Sequence, residues 1–360
     1  MNQSLPPFVC RHSAEFSDLL WKLQCTLVIS IYQANKIIYI SAGSSESLVQ
    51  LPQDFDAPMG LAAEDNRLAV ATKDEVIMLS YVRALASSYP RRSNTSDGQY
   101  VPHAAIYCGE LKAHDLVWGQ AGLWKVNTLF SCLSLKDDEG NFNPRWRPRF
   151  ISELAPEDRC HLNGVAMVDG YPEYVTALGE TNTSEGWRPG KTSGGIVIHV
   201  PSDEVVLRGL PMPHTPRVYE DDLYVLLSAT GEVARVDMGR SDYEVVTRLP
   251  GFVRGMARYG DYLFVGLSQL RRKSPTFSDI PIARESPFCG IVAINLRSGT
   301  TIGQLRYDSV CQEIYDVQAL SGLRRPGLIG PSTSGEWSDW RLKPLTSRSE
   351  FPSLIGGTRK

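Results

Sequence analysis

His114, His161 and His214 are the side chains of this sequence best suited to chemistry. Neutral imidazole is both a general base and a metal ligand near neutral pH. Each of the three stands at the start of the same local pattern: a polar or small turn, an apolar strand of about five residues, a Gly/Asn/Asp turn, and a second strand. The clearest copy is Cys160 to Thr183, CHLNGVAMVDGYPEYVTALGETNT. Copies aligned on Gly60, Asp115, Gly164, Arg217, Gly255 and Asp316 place Met59, His114, Asn163, Pro216, Arg254 and Tyr315 one residue before the anchor. Three residues before it stand Ala57, Lys112, His161, His214, Phe252 and Glu313. The two positions share a parity, so in an extended strand their side chains leave on one face. Pro213 and Pro216 bend that rule around His214.

Three imidazoles on one ring, with an open position between them, would make a catalytic site for zinc, iron, copper or manganese. In that reading His114, His161 and His214 hold the metal, Glu180, Glu313 or Asp115 moves a proton, and Arg254 orients the substrate. The plainer reading has each histidine bonded to backbone at a strand start, along an axis filled with ordered water. The turn after each second strand adds a further polar layer, with Gln33, Asn35 and Lys36, Asn127 and Thr128, Glu180 to Asn182, Ser228 and Thr230, and Ser268, Gln269 and Arg271. Asn163, Asn182, Arg217, Gln33, Asn35 and Gln269 are the expected substrate contacts. For Asp115, Arg217 and Asp316 ion pairing between neighbouring strands is the favoured role. The runs Arg145 to Arg149 and Arg271 to Lys273 read as solvated loops, and no phosphate-cradling loop, nucleophile elbow or HExxH calls for an organic cofactor.

A unit made only of strands and recurring every 38 to 61 residues, long enough for four short strands, predicts an all-β fold, a β-propeller of four-stranded blades. Six blades are expected, with seven as the alternative. The last copy, Asp316 to Leu320, has one strand, and Thr26 to Ser41 supplies two that it lacks. The ring is therefore expected to close by pairing the N-terminal strands with a C-terminal strand. Residues 1–25 read as a polar arm, 26–330 as the propeller and 331–360 as a disordered Ser/Thr/Pro-rich tail, in which Trp337 and Trp340 are the candidate docking residues.

At 360 residues and 42% apolar content the chain can bury a full core, and a formal charge of -3 offers no general attraction for nucleic acid. No secretory start and no apolar run of membrane-spanning length are present, so a cytoplasmic protein with no membrane partner is expected. Seven scattered cysteines without a CxxC pair fit reduced thiols.

The blocks HDLVWG, APEDRCHLNG, YVTALGETNT, GWRPGK, MPHTPR, LPGFVRGMA and QEIYDVQAL resemble the signature blocks of an uncharacterised bacterial family. Its members are conserved hypothetical proteins, some fused to tetratricopeptide repeats. The resemblance runs from about Thr26 to Leu328 and departs at Thr215, where the family has serine. It coincides with the ring residues and implies no particular activity. More distantly, the His-x-Asn-Gly turn is similar to blade starts in six-bladed lactonase-like and strictosidine-synthase-like propellers. The expected function is a metal-dependent enzyme of hydrolase, lyase or isomerase type, acting on a small polar or anionic molecule or a peptide at the channel mouth. The alternative is a metal-free binding or scaffold propeller that recognises a peptide or protein partner.

Overall fold

Short runs such as Leu27 to Ile31 and Leu263 to Leu267, rich in β-branched, leucine and aromatic residues and bounded by polar turns, form strands. The computed structural model describes residues 8–88, 95–136, 140–270, 280–284 and 287–331. The tail from 332 on, with Trp337 and Trp340, and the Arg271 to Lys273 run lie outside the described residues.

The strands form six sheets, the blades of a six-bladed propeller. Blade 1 has the inner strand Asp316–Leu320 followed by Thr26–Ile31, Lys36–Ser44 and Ser47–Asp54. Blades 2 to 6 begin with the inner strands Leu61–Glu64, Ala113–Gly119, Leu162–Val168, Pro213–Tyr219 and Phe252–Tyr259, and each runs outward in sequence order. The ring closes where Thr26 to Ser30 pair antiparallel with Leu320 to Asp316, as the complementary half-units require.

The first residues are tied to this closure. Cys10–His12 adds a fifth strand to blade 6 by pairing with Thr301–Tyr307. Helix α1, Ala14–Leu23, then buries Phe16, Leu19 and Leu20 in a core shared by blades 6 and 1. The Phe16 ring meets Phe264 edge-on, with centroids 6.3 Å apart. At the other terminus Gly327–Leu328 pairs parallel with Gln99–Tyr100 on the edge of blade 2.

Two devices join neighbouring blades. Buried hydroxyls donate to the carbonyl that leads into the next blade: Ser30 to Met59 (2.6 Å), Thr128 to Leu162 (2.5 Å), Ser228 to Val253 (2.6 Å) and Ser268 to Ile314 (3.2 Å). Each contributes about 0.5–1.5 kcal/mol net. The anchor positions, meanwhile, alternate glycine with charge around the ring. A Cβ on Gly60 would lie 2.8 Å from Asp115 Cα, and one on Gly255 would lie 2.6 Å from Val317 N, so these glycines let adjacent inner strands touch.

The charged anchors then meet across the channel. Arg217 donates to both oxygens of Asp115, at 2.8 and 2.9 Å. Asp115 accepts the Val165 N–H (3.1 Å), and Asp316 accepts those of Leu61 (2.8 Å) and Val317 (2.7 Å). Both carboxylates are buried. Asp115 and Arg217 thus form a buried ion pair, across the channel rather than between neighbouring strands, while Asp316 is held by backbone N–H groups and makes no ion pair among the described residues.

Candidate active site at the channel mouth

The chain leading into the inner strands is kinked. Ala57, Lys112, His161 and Thr215 have positive φ (43°, 49°, 53° and 49°), as does Gly255 (72°). The strand register breaks between Leu162 and Gly164, between His214 and Arg217, and between Val253 and Met256. Such bulges re-aim side chains at the end of a strand. The extended geometry assumed from parity is therefore absent, yet the ring forms. Of the aligned positions, all but Ala57, Asn163 and Pro216 line one cavity of about 290 Å³. Tyr32, Lys73, Glu110, Asp158, Leu178, Trp187, Arg188 and Met212 complete its wall.

The three histidines share a way of being held. His114 Nδ1 lies 3.0 Å from the Lys112 carbonyl and 2.7 Å from Thr128 Oγ1. His214 Nδ1 lies 3.1 Å from the Met212 carbonyl and 2.9 Å from Ser228 Oγ. A carbonyl only accepts, and each hydroxyl already donates to the next blade, so in both rings Nδ1 carries the proton. Burial, with His161 and Arg254 close by, pushes the pKa of His114 well below its ordinary value. Burial, then Arg254 and His161, does the same to His214. These two rings are neutral at pH 7, and each keeps a lone pair on Nε2. His161 Nδ1 instead lies 3.0 Å from both oxygens of the buried Asp158. Among the described residues no protein hydrogen bond reaches Nε2 of any of the three.

Around them are aromatic and charged groups. The rings of His114 and His161 are 4.8 Å apart, and Trp187 lies 4.4 Å from His161. The Arg254 guanidinium stands 3.4 Å over the Tyr315 ring, a cation–π contact. Among the described residues Arg254 has no carboxylate partner and Glu313 no cation, although both line the cavity.

As metal ligands the histidines have suitable chemistry, because a ligating imidazole ordinarily gives its other N–H to a carbonyl or carboxylate. As placed, no three His, Cys, Asp or Glu side chains among the described residues stand close enough to hold one ion. His214 packs on Phe252, 5.9 Å away, rather than on the other two rings.

Several expected site residues serve the scaffold instead. Asn163 is buried, donates to the Pro213 carbonyl (3.0 Å) and accepts from Thr176 (2.7 Å), stitching blade 4 to blade 5. Asp115 and Arg217 are consumed by each other. Glu180 is exposed and pairs with Arg208 at 2.9 Å, in an outer groove. Asn182 accepts from Arg159 (2.9 Å) and from the Ser152 N–H (3.0 Å). Asn35 caps the turn before blade 2 by accepting the Ala57 N–H (3.0 Å). Gln33 and Gln269 also stand outside the cavity wall. Only Glu313 and Arg254 remain from the predicted acid/base and orienting groups.

Other residues around the histidines have roles that the sequence did not show. Asp158 and Trp187 come from loops outside the repeating unit, and nothing in the strand pattern marks them. Thr128 and Ser228 did carry a signal, since each follows its histidine by 14 residues, one strand pair away.

Residues 14–329 match the domain of unknown function DUF4915. The chain belongs to that family. The match begins inside helix α1 and ends just past the strand on blade 2, so the DUF4915 domain contains the complete ring. No curated protein matches this DUF4915 chain. The crystal structure of a nidogen/laminin complex is similar to it at 9% identity with a TM-score of 0.53, covering 83% of this chain and 99% of that one. At that identity the likeness speaks for the fold alone.

Proposed function

We propose that the DUF4915 cavity is the site of an acid–base enzyme, of hydrolase, lyase or isomerase type, acting on a small polar or anionic molecule. The observation that carries this reading is the His161–Asp158 pair. A buried carboxylate bonded to Nδ1 fixes the tautomer and ring orientation and stabilises the imidazolium formed when Nε2 takes a proton. Nε2 is then the base, and its partner is a substrate proton or a water in the cavity. Arg254 supplies a fixed positive charge for an anionic group, and Glu313 is a second proton carrier.

The test is turnover of a panel of carboxylate-bearing esters, amides and lactones. Asp158→Asn should lower kcat by about 10²–10⁴-fold with KM little changed, and an unaltered kcat would remove the pair from the mechanism. Binding that depends on Arg254, without turnover of any panel member, would instead favour a binding platform.

A metal-dependent version of the same enzyme is supported by one specific feature, the Nδ1–H tautomers that leave three Nε2 atoms for an ion. His114, His161 and His214 would hold it after closing toward one another, and zinc, iron, copper or manganese would supply Lewis acidity. Elemental analysis of tag-free protein beside the triple His114/His161/His214→Ala variant decides it. Near-stoichiometric metal lost in the variant supports this version, and none after reconstitution rejects it.

A further inference from the structure

We propose that the cavity takes a small zwitterion of the amino-acid class, with its carboxylate on Arg254 and its ammonium on Glu313. This names the substrate class of the site described above and rests on that reading.

Charges of both signs line one small cavity, where Lys73, Glu110, Lys112, Asp158 and Arg188 join Arg254 and Glu313 in the wall. Arg254 and Glu313 both line a space of about 290 Å³, and among the described residues neither has an ion-pair partner. Charged groups drawn partly out of water are costly unless an opposite charge completes them. A simple anion would answer Arg254 and be repelled by Glu313. A simple cation would answer Glu313 and be repelled by Arg254. A molecule carrying both charges answers both.

The histidines supply the second, independent observation. His114 and His214 each present an Nε2 that accepts and cannot donate, because Nδ1 holds the proton for a backbone carbonyl. Such lone pairs call for N–H or O–H groups on the ligand. An ammonium has three hydrogens to place; Glu313 can take one and an imidazole Nε2 of the wall another. The positive charge of Arg254 near these rings would oppose a bare cation, but a ligand carboxylate cancels it. Trp187, Leu178 and Met212 leave an apolar surface for a side chain.

Isothermal titration of the full chain with each proteinogenic L-amino acid identifies the best binder, whose deamino and decarboxy analogues are then titrated beside it. The intact amino acid should bind at least ~10-fold tighter than either analogue, as expected for charge-assisted bonds. Glu313→Gln should abolish the preference, weakening the amino acid while the deamino analogue binds the variant as tightly as the wild type or tighter, since its repulsion by Glu313 is gone. Equal binding of the amino acid and its deamino analogue, both indifferent to Glu313→Gln, would overturn the zwitterion and leave an anion site standing. If the amino acids and their deamino analogues all fail to bind, the zwitterion falls, and the small-anion reading of the cavity falls with it.

Discussion

At the scale of single residues, the site depends on atoms that hold the imidazoles rather than on the imidazoles alone. Thr128 and Ser228 each do two jobs, accepting from a histidine Nδ1 and donating to the next blade. Thr128→Val removes both bonds and leaves the Leu162 carbonyl buried without a donor. A loss of about 1–2 kcal/mol in urea unfolding is expected, with the His114 ring freed to rotate. Long-range ¹⁵N spectra would report this directly: the wild type should give the Nδ1–H tautomer at His114 and His214, and the variant a mixture at His114. A wild-type Nε2–H signal would refute the assignment of the lone pairs that the ligand proposals use.

At the scale of elements, the kinked lead-ins and the anchor glycines set how closely blades approach. Gly255 has a φ of 72° and would place a Cβ 2.6–2.8 Å from the backbone of Asp316 and Val317. Gly109 has a similar φ of 70° with open space around it. Gly109→Ala should therefore cost about 1–2 kcal/mol, the backbone strain alone. Gly255→Ala should cost clearly more, because blades 6 and 1 must separate. Equal losses for the two in chemical denaturation would show that close approach is not what Gly255 provides. Helix α1 acts at the same seam from outside: Phe16→Ala should lower stability by about 3–5 kcal/mol, measurable as a shift in the urea midpoint. A surface-docked helix would barely respond.

At the scale of the whole molecule, the channel cluster couples folding to pH. Burial pushes the Asp316 carboxyl from 3.8 up to about 7, Asp115 adds to the rise, and Arg217 opposes it. The folded state thus keeps a proton that the unfolded chain has already lost. Its contribution is full below the unfolded value of 3.8 and is lost progressively as pH rises from there through about 7. His114 and His214 act in the opposite sense, since their folded values are lowered. What they contribute is present above the unfolded imidazole value of 6.5 and disappears as pH falls. Stability should therefore peak near neutrality. Asp316→Asn should be less stable at pH 4, where it loses one backbone N–H acceptor, yet lack the wild type's Asp316-linked loss between about pH 4 and 7. Urea midpoints across that range check the sign, and parallel curves for the two proteins would exclude Asp316 as the titrating group.

The amino-acid sequence by itself determined the six blades, the joining of the two ends and the ring of residues that faces the channel mouth. These follow from strand periodicity, turn residues and a recurring unit, all of which are local properties repeated along the chain. Only the tertiary structure decided which polar groups the ring leaves free. Asn163 shares the register of the cavity residues and Asp115 and Arg217 are anchors beside it, but protein partners at 2.7–3.1 Å, within the blade, in the next one or across the channel, take each out of the site. Glu180 was drawn outward to Arg208, while Asp158 and Trp187 were brought inward by loops with no repeat of their own. Hydrogen bonding depends on fractions of an ångström between segments distant in the chain, and no spacing in the sequence records that distance.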